Sequence, residues 1–150
     1  MKGTVIGLIL SAVTLTAAVK VRPDPLTFYV QLIRGSDEEA PPSAGSRRVG
    51  SRLAETFHSV FRLRNFWEMD RQEVALAPGQ KTKVRLTLER EVEIDLRRPE
   101  FRRVTGFQNG EAVDRVVRPR GEAMTIIGGN RDGKSVWFIV VRRDRPQDKE

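Results

Sequence analysis

From Lys81 to Leu96 the chain alternates between polar and apolar residues on both sides of a short turn. Lys81, Lys83 and Arg85 interleave with Thr82, Val84 and Leu86; Glu91, Glu93 and Asp95 interleave with Val92, Ile94 and Leu96. A period of two marks a strand with one face in a core and the other in water. If the two runs pair about Leu88-Glu89-Arg90, Arg85 faces Glu93 and Lys83 faces Asp95, while Val84 meets Ile94 and Leu86 meets Val92. Both faces agree on that register, and a slip of one residue would turn the acids into the core. Opposite-charge cross-strand pairs add about 0.2–1 kcal/mol each. The row Glu91, Glu93, Asp95 is therefore read as the complement of the basic row, not as a paired-carboxylate active site.

The neighbouring segments follow the same rule. Leu26 to Arg34 places Phe28, Val30 and Leu32 on one face and Tyr29, Gln31 and Ile33 on the other. Phe66 to Leu76 runs through Ala77-Pro78-Gly79-Gln80, with proline and glycine where a type II turn uses them, into the Lys81 run. Arg102 to Gln108 and Glu111 to Arg118 flank Asn109-Gly110, a type I′ hairpin signal. Val136 to Val141 is apolar on both faces, as a central strand must be. One helix is expected, over Ser51 to Leu63, with Leu53, Phe57, Val60 and Phe61 on a single stripe and Ser51 placed to cap it. Gly35 to Gly50 reads as a loop, and its Asp37-Glu38-Glu39 as a solvated turn, because a calcium loop spaces its oxygen ligands alternately.

Together these segments predict a mainly β fold, an antiparallel sandwich or half-open barrel of about seven or eight strands with one packed helix. At 150 residues one domain is expected, over 26–145, with a linker over 19–25 and a charged, fraying tail from Arg142 whose last stretch is 146–150.

Gly128-Gly129-Asn130-Arg131-Asp132-Gly133-Lys134-Ser135 satisfies the phosphate-loop pattern G-x-x-x-x-G-K-[ST]. That loop works because a helix N-terminus follows it and supplies amide N–H groups to the phosphates. Here Val136-Trp137-Phe138-Ile139-Val140-Val141 follows, β-branched and aromatic throughout. The segment is read as a hairpin loop between Ala123–Ile127 and Val136–Val141, with its glycines serving tight or positive-φ positions and Lys134 in solvent.

Residues 1–18 have the layout of a leader: Lys2, an uncharged run from Gly3 to Val19, and Thr16 and Ala18 placed for a cut before Val19. An uncleaved anchor is the competing reading, since a run of about 17 residues reaches the lower limit for a span. Lys20 and Arg22 just beyond the run oppose translocation of that side. The leader predicts a periplasmic or otherwise extracytoplasmic protein, with inner-membrane anchoring through residues 1–19 as the alternative. The absence of cysteine excludes a lipobox, disulfides, thiol chemistry and cysteine-rich zinc sites.

No catalytic constellation is complete. His58 is the single histidine, one residue off the helix stripe, and no serine stands in a nucleophile-elbow context. The chain is read as a non-enzyme without cofactor or metal, and a hydrolase of unspecified type is the weakest alternative. Its formal net charge of +7 comes mostly from arginine in the second half. Arg97, Arg98, Arg102, Arg103, Arg115, Arg118 and Arg120 are the candidate contacts on an arginine-rich β surface. The expected partner is an envelope protein or an anionic lipid or glycan surface. Nucleic acid is disfavoured, because no binding signature is present and the aromatics fall where a core needs them.

Phe28-Tyr29-Val30-Gln31-Leu32-Ile33-Arg34-Gly35, Arg90-Glu91-Val92-Glu93-Ile94-Asp95-Leu96 and the run from Gly128 through Gly133 to Arg143 resemble small exported bacterial β-domain proteins of unknown function. The resemblance covers most of the chain after the leader and brings no activity and no functional residue with it.

Overall fold

A computed structural model describes residues 20–147. The leader expected over 1–18 and the last three residues of the expected tail lie outside the described residues.

The fold is an open antiparallel sandwich. Strand β1 spans Leu26–Ser36, β2 Arg47–Arg48, β3 Asn65–Leu76, β4 Lys81–Arg85, β5 Arg90–Asp95, β6 Phe101–Gln108, β7 Glu111–Pro119, β8 Met124–Asp132 and β9 Ser135–Arg142; the helix α1 spans Ser51–His58. One sheet has the order β2-β3-β1-β9-β8 and the other β4-β5-β6-β7. Long β1 and β9 sit side by side inside the first sheet, which explains why both are apolar on two faces. Between the sheets Phe28, Val30, Leu32, Val92, Ile94, Leu96, Val104, Ile139 and Val141 form the main core. On the outer face of the larger sheet, Ile33, Phe66, Phe138 and Val140 receive Leu53 and Phe57 of α1. The Phe57 ring lies 5.0 Å from Phe66 and 4.6 Å from Phe138, so aromatic contacts fix the helix on the sheet. Among the described residues no helix is long and apolar enough to cross a membrane.

The alternation read from Lys81 to Leu96 holds, but its register differs by two residues. Lys81 pairs with Asp95, Lys83 with Glu93, Val84 with Val92 and Arg85 with Glu91. The turn closes about Leu88 because Thr87 Oγ1 accepts the Glu89 and Arg90 N–H groups at 3.3 and 3.1 Å, and the Leu86 N–H reaches the Arg90 carbonyl at 2.9 Å. A two-residue shift preserves parity, so charges still meet charges: Lys81 to Glu93 at 3.3 Å and Arg85 to Glu91 at 3.1 Å.

The Asn109-Gly110 turn is formed as expected, with φ of 51° and 82°, and so is the turn at Gly79, with φ of 85°. The helix is shorter than its stripe. Beyond His58 a single further turn ends at Phe61, whose N–H reaches the Phe57 carbonyl at 2.8 Å, and Val60 is exposed. The chain then straightens into β3, where Asp37 Oδ1 accepts the Arg64 N–H at 3.1 Å and the Glu38 carbonyl accepts Asn65 Nδ2 at 2.9 Å. The acidic loop thus holds the start of a strand. Gly50, not Ser51, is the N-cap, and no side chain among the described residues caps the helix. The segment after β9 does not fray at once either, since Pro146 is buried.

Candidate functional site

The seven arginines chosen from sequence do not make one surface. Arg97 grips Asp95 with Nε at 3.0 Å and Nη2 at 2.8 Å, and its backbone N–H donates to the same carboxylate at 3.0 Å. Arg103 stands 3.9 Å from that carboxylate. Arg120 donates to the Leu96 carbonyl and, at 2.9 Å, to the Arg98 carbonyl, while Arg118 lies 3.8 Å from Glu122. Arg98 and Arg115 remain exposed.

Arg102 is a correction, because it is only 1% exposed and cannot meet a partner. It shares the inward face of β6 with Val104, two residues on, and donates from Nη2 to Thr125 Oγ1 at 2.8 Å. Its guanidinium also lies 5.6 Å from the Phe28 ring. Burial lowers its pKa, and the Arg143 charge adds to the fall against the pull of Glu122. Strand parity carried this signal: Arg102 and Arg103 are adjacent, so they must point to opposite faces.

Gly128 to Ser135 lies in a β-hairpin. Strand β8 continues through the glycines to Asp132, with an irregularity in pairing between Gly128 and Asn130, and the tip is Gly133-Lys134. Gly128, Gly129 and Gly133 have φ of 110°, 91° and 61°. Lys134 is exposed, and β9 rather than a helix follows. Ser135 is buried, its Oγ accepting Arg34 Nε at 2.7 Å. His58 is exposed and stands edge-on to Phe66 at 5.0 Å.

Five arginines gather around a concavity elsewhere. A cleft of about 200 Å³ opens where the outer face of the larger sheet meets the first turn of α1 and the segment after β9. Arg48, Arg52, Arg71, Arg142 and Arg145 line it, against the carboxylates of Glu68 and Asp144. Its floor is polar. Gln31 is 2% exposed and Glu68 5%. Gln31 Nε2 donates to Glu68 Oε2, and Arg71 Nε lies 2.9 Å from Glu68 Oε1. Residues Gln31 and Arg71 are directly opposed on β1 and β3, which brings this trio together.

On the walls Arg48 donates to Asn65 Oδ1 at 2.8 Å and lies 4.6 Å from the Trp67 ring, so its guanidinium is already engaged. Arg142 Nε donates to Asp144 Oδ1 at 3.0 Å; this contact, with further help from Arg52, holds the Asp144 carboxyl below the usual range. Arg52 and Arg145 are exposed at the rim. The chain after β9 crosses the start of the helix closely enough that a Cβ on Gly50 would sit 3.6 Å from the Gln147 carbonyl.

Such a cleft can neutralise and orient an anion, with guanidinium groups as fixed fork-shaped donors. Among the described residues no three ligating side chains converge as a metal site would require. None of the seven candidate arginines lines the cleft; Gln31 within an apolar strand and Glu68 between Trp67 and Met69 were the available sequence signals. Comparison with protein-family models, curated proteins and solved structures returns no match for the chain.

Proposed function

We propose that this protein is a non-enzymatic interaction module of the cell envelope that holds an anionic group of its partner in the arginine-lined cleft. The location follows from the leader-like layout of residues 1–18. The observation that carries the binding reading is the pair of exposed arginines, Arg52 and Arg145, at the rim of one concavity whose other guanidinium groups, on Arg48, Arg71 and Arg142, are held by internal partners. A low-dielectric wall on one side strengthens attraction to an anion relative to an open strand face. The arginine-rich strand surface supports the reading less well, because Arg97, Arg103, Arg118 and Arg120 are occupied by internal acceptors.

Two variants of equal charge separate a site from general basicity. Retention on a sulfated dextran matrix should fall steeply with salt. Arg52→Gln with Arg145→Gln should lower the eluting salt concentration clearly more than Arg98→Gln with Arg115→Gln. Equal losses in the two pairs would remove the cleft from the reading and return it to diffuse surface charge.

A further inference from the structure

The outer face of the smaller sheet leaves apolar side chains in water. Across β6 and β7 Phe101 pairs with Pro119 and Arg103 with Val117, and directly opposed residues share a face, so Phe101, Val117 and Pro119 stand together on the side away from the core. Phe101 is 42% and Val117 49% exposed, and Pro119 is exposed as well. With Asp95, Arg98 and Arg103 the first two rim a shallow depression of about 170 Å³. The adjoining strands show the ordinary alternative, since β4 and β5 present only charged pairs on that face: Lys81 with Asp95, Lys83 with Glu93 and Arg85 with Glu91.

The charges of the face do not balance. Asp95 is held by Arg97 at 2.8 Å, Glu93 by Lys81 at 3.3 Å and Glu91 by Arg85 at 3.1 Å. Each acid of β5 thus has its base, while Arg98 and Arg115 are exposed with no side-chain partner among the described residues. Arg98 rims the depression, and Arg115 faces Thr105 on the same side of the sheet. Two free guanidinium groups therefore flank the apolar trio.

Apolar side chains that project beside free cations fit an apolar medium under an anionic layer. A protein partner would need a matching pocket for each projecting side chain. A polyanionic glycan would answer the arginines and leave Val117 and Pro119 in water. A bilayer with anionic head groups meets both demands, because lipid deforms around the apolar tips and the arginine stems extend to keep their guanidinium groups at the phosphates.

We infer that the outer face of β6 and β7 rests on an anionic lipid bilayer, with Phe101, Val117 and Pro119 inserted and Arg98 and Arg115 against the head-group phosphates. The cleft lies on the opposite side of the sandwich, so a partner held there is presented away from the lipid. The inference does not depend on what the cleft binds.

The chain has no cysteine, so a single one can carry a polarity-sensitive fluorophore. In the full chain, the label on Val117→Cys should shift to the blue with vesicles of equal parts phosphatidylglycerol and phosphatidylcholine, and not with phosphatidylcholine alone. On Val60→Cys, exposed beside α1 on the far side of the molecule, it should shift with neither. The label reports which face meets lipid, so binding through the apolar run before Lys20 does not imitate the result. Arg98→Gln with Arg115→Gln should raise the lipid concentration at half-shift about thirtyfold, as expected for two surface arginines, and Arg52→Gln with Arg145→Gln on the cleft rim should leave it within about twofold. No shift at Val117 with the anionic vesicles would overturn the inference and leave the face to a protein partner. Equal shifts at Val117 and Val60 would overturn it too, because insertion would not belong to this face. A shift of the same size with soluble sulfated dextran would assign the face to a glycan instead. Each of these failures leaves the cleft reading standing, which is decided by dextran retention of its own arginine pair.

Discussion

Asp95 shows how one side chain changes role between the linear chain and the fold. In the alternating pattern it is the last acid of a cross-strand row, and in the structure it does face Lys81. Its main partner, however, is Arg97, two residues away, whose guanidinium and backbone N–H hold the Asp95 carboxyl at about 2, below the ordinary 3.8. A depressed folded value means that the stabilisation is complete above the unfolded value and is lost as pH falls toward the folded one. The Arg97 side chain is 55% exposed, so solvent screens part of the interaction. Acid titration from about pH 4 to about pH 2 should therefore cost about 1–2 kcal/mol from this group. Urea midpoints measured across that range should flatten in Asp95→Asn, and an unchanged slope would assign the acid sensitivity to other carboxylates. The Arg97 contact was not legible from alternation, because it is made by a residue just beyond the strand end.

At the scale of elements, the β8–β9 hairpin separates two uses of glycine. Gly133 sits at the tip with φ of 61° and nothing within 4 Å of a notional Cβ, so Gly133→Ala meets only the left-handed backbone cost, about 1–2 kcal/mol. Gly128 has φ of 110°, and a Cβ there would stand 2.5 Å from the Trp137 carbonyl oxygen. Gly128→Ala should cost more, at least about 3 kcal/mol, because steric overlap with backbone adds to the conformational strain. Thermal melts of the two variants check the order, and similar melting points would show that the pairing irregularity relaxes. The hairpin itself was readable from Val136 to Val141, since β-branched and aromatic residues cannot be mistaken for the helix a phosphate loop needs. What escaped was the continuation of β8 through Gly128 and Gly129: glycine marks permissive backbone but does not say whether the permission is used for a turn or a bulge.

Across the whole molecule, the two sheets are tied by a few polar contacts along the side where β7 and β8 approach. Asp114 Oδ2 accepts the Gly128 N–H at 2.9 Å, and Arg102 on β6 donates to Thr125 on β8 at 2.8 Å. The latter joins the sheets through a buried cation whose Nε has no hydrogen-bond partner among the described residues. Replacing such a group by an apolar side chain of similar length is often neutral or stabilising, whereas removing its partner is not. Arg102→Met should keep or raise the urea midpoint. Thr125→Val should lower stability by about 1–3 kcal/mol in the natural background and by much less when combined with Arg102→Met. Additive losses would show that the contact across the sheets is not what the threonine contributes.

Local rules account for what the chain made legible by itself. Side-chain parity in a strand and the φ demands of Asn109-Gly110 and Gly79 act within a few residues, so strands, turns, the apolar faces and the sandwich class follow from the order of amino acids. Parity even survives a two-residue change of register at β4–β5. The cleft is of another kind, because Gln31, Arg52, Glu68 and Arg145 are far apart in the chain and meet only when β1 lies between β3 and β9 and the last segment crosses the start of α1. Tertiary structure alone decided that meeting, whereas strand parity already set Arg102 and Arg103 on opposite faces of β6. Which distant side chains become neighbours depends on strand order and on which face is covered, and neither is encoded in any single stretch of residues.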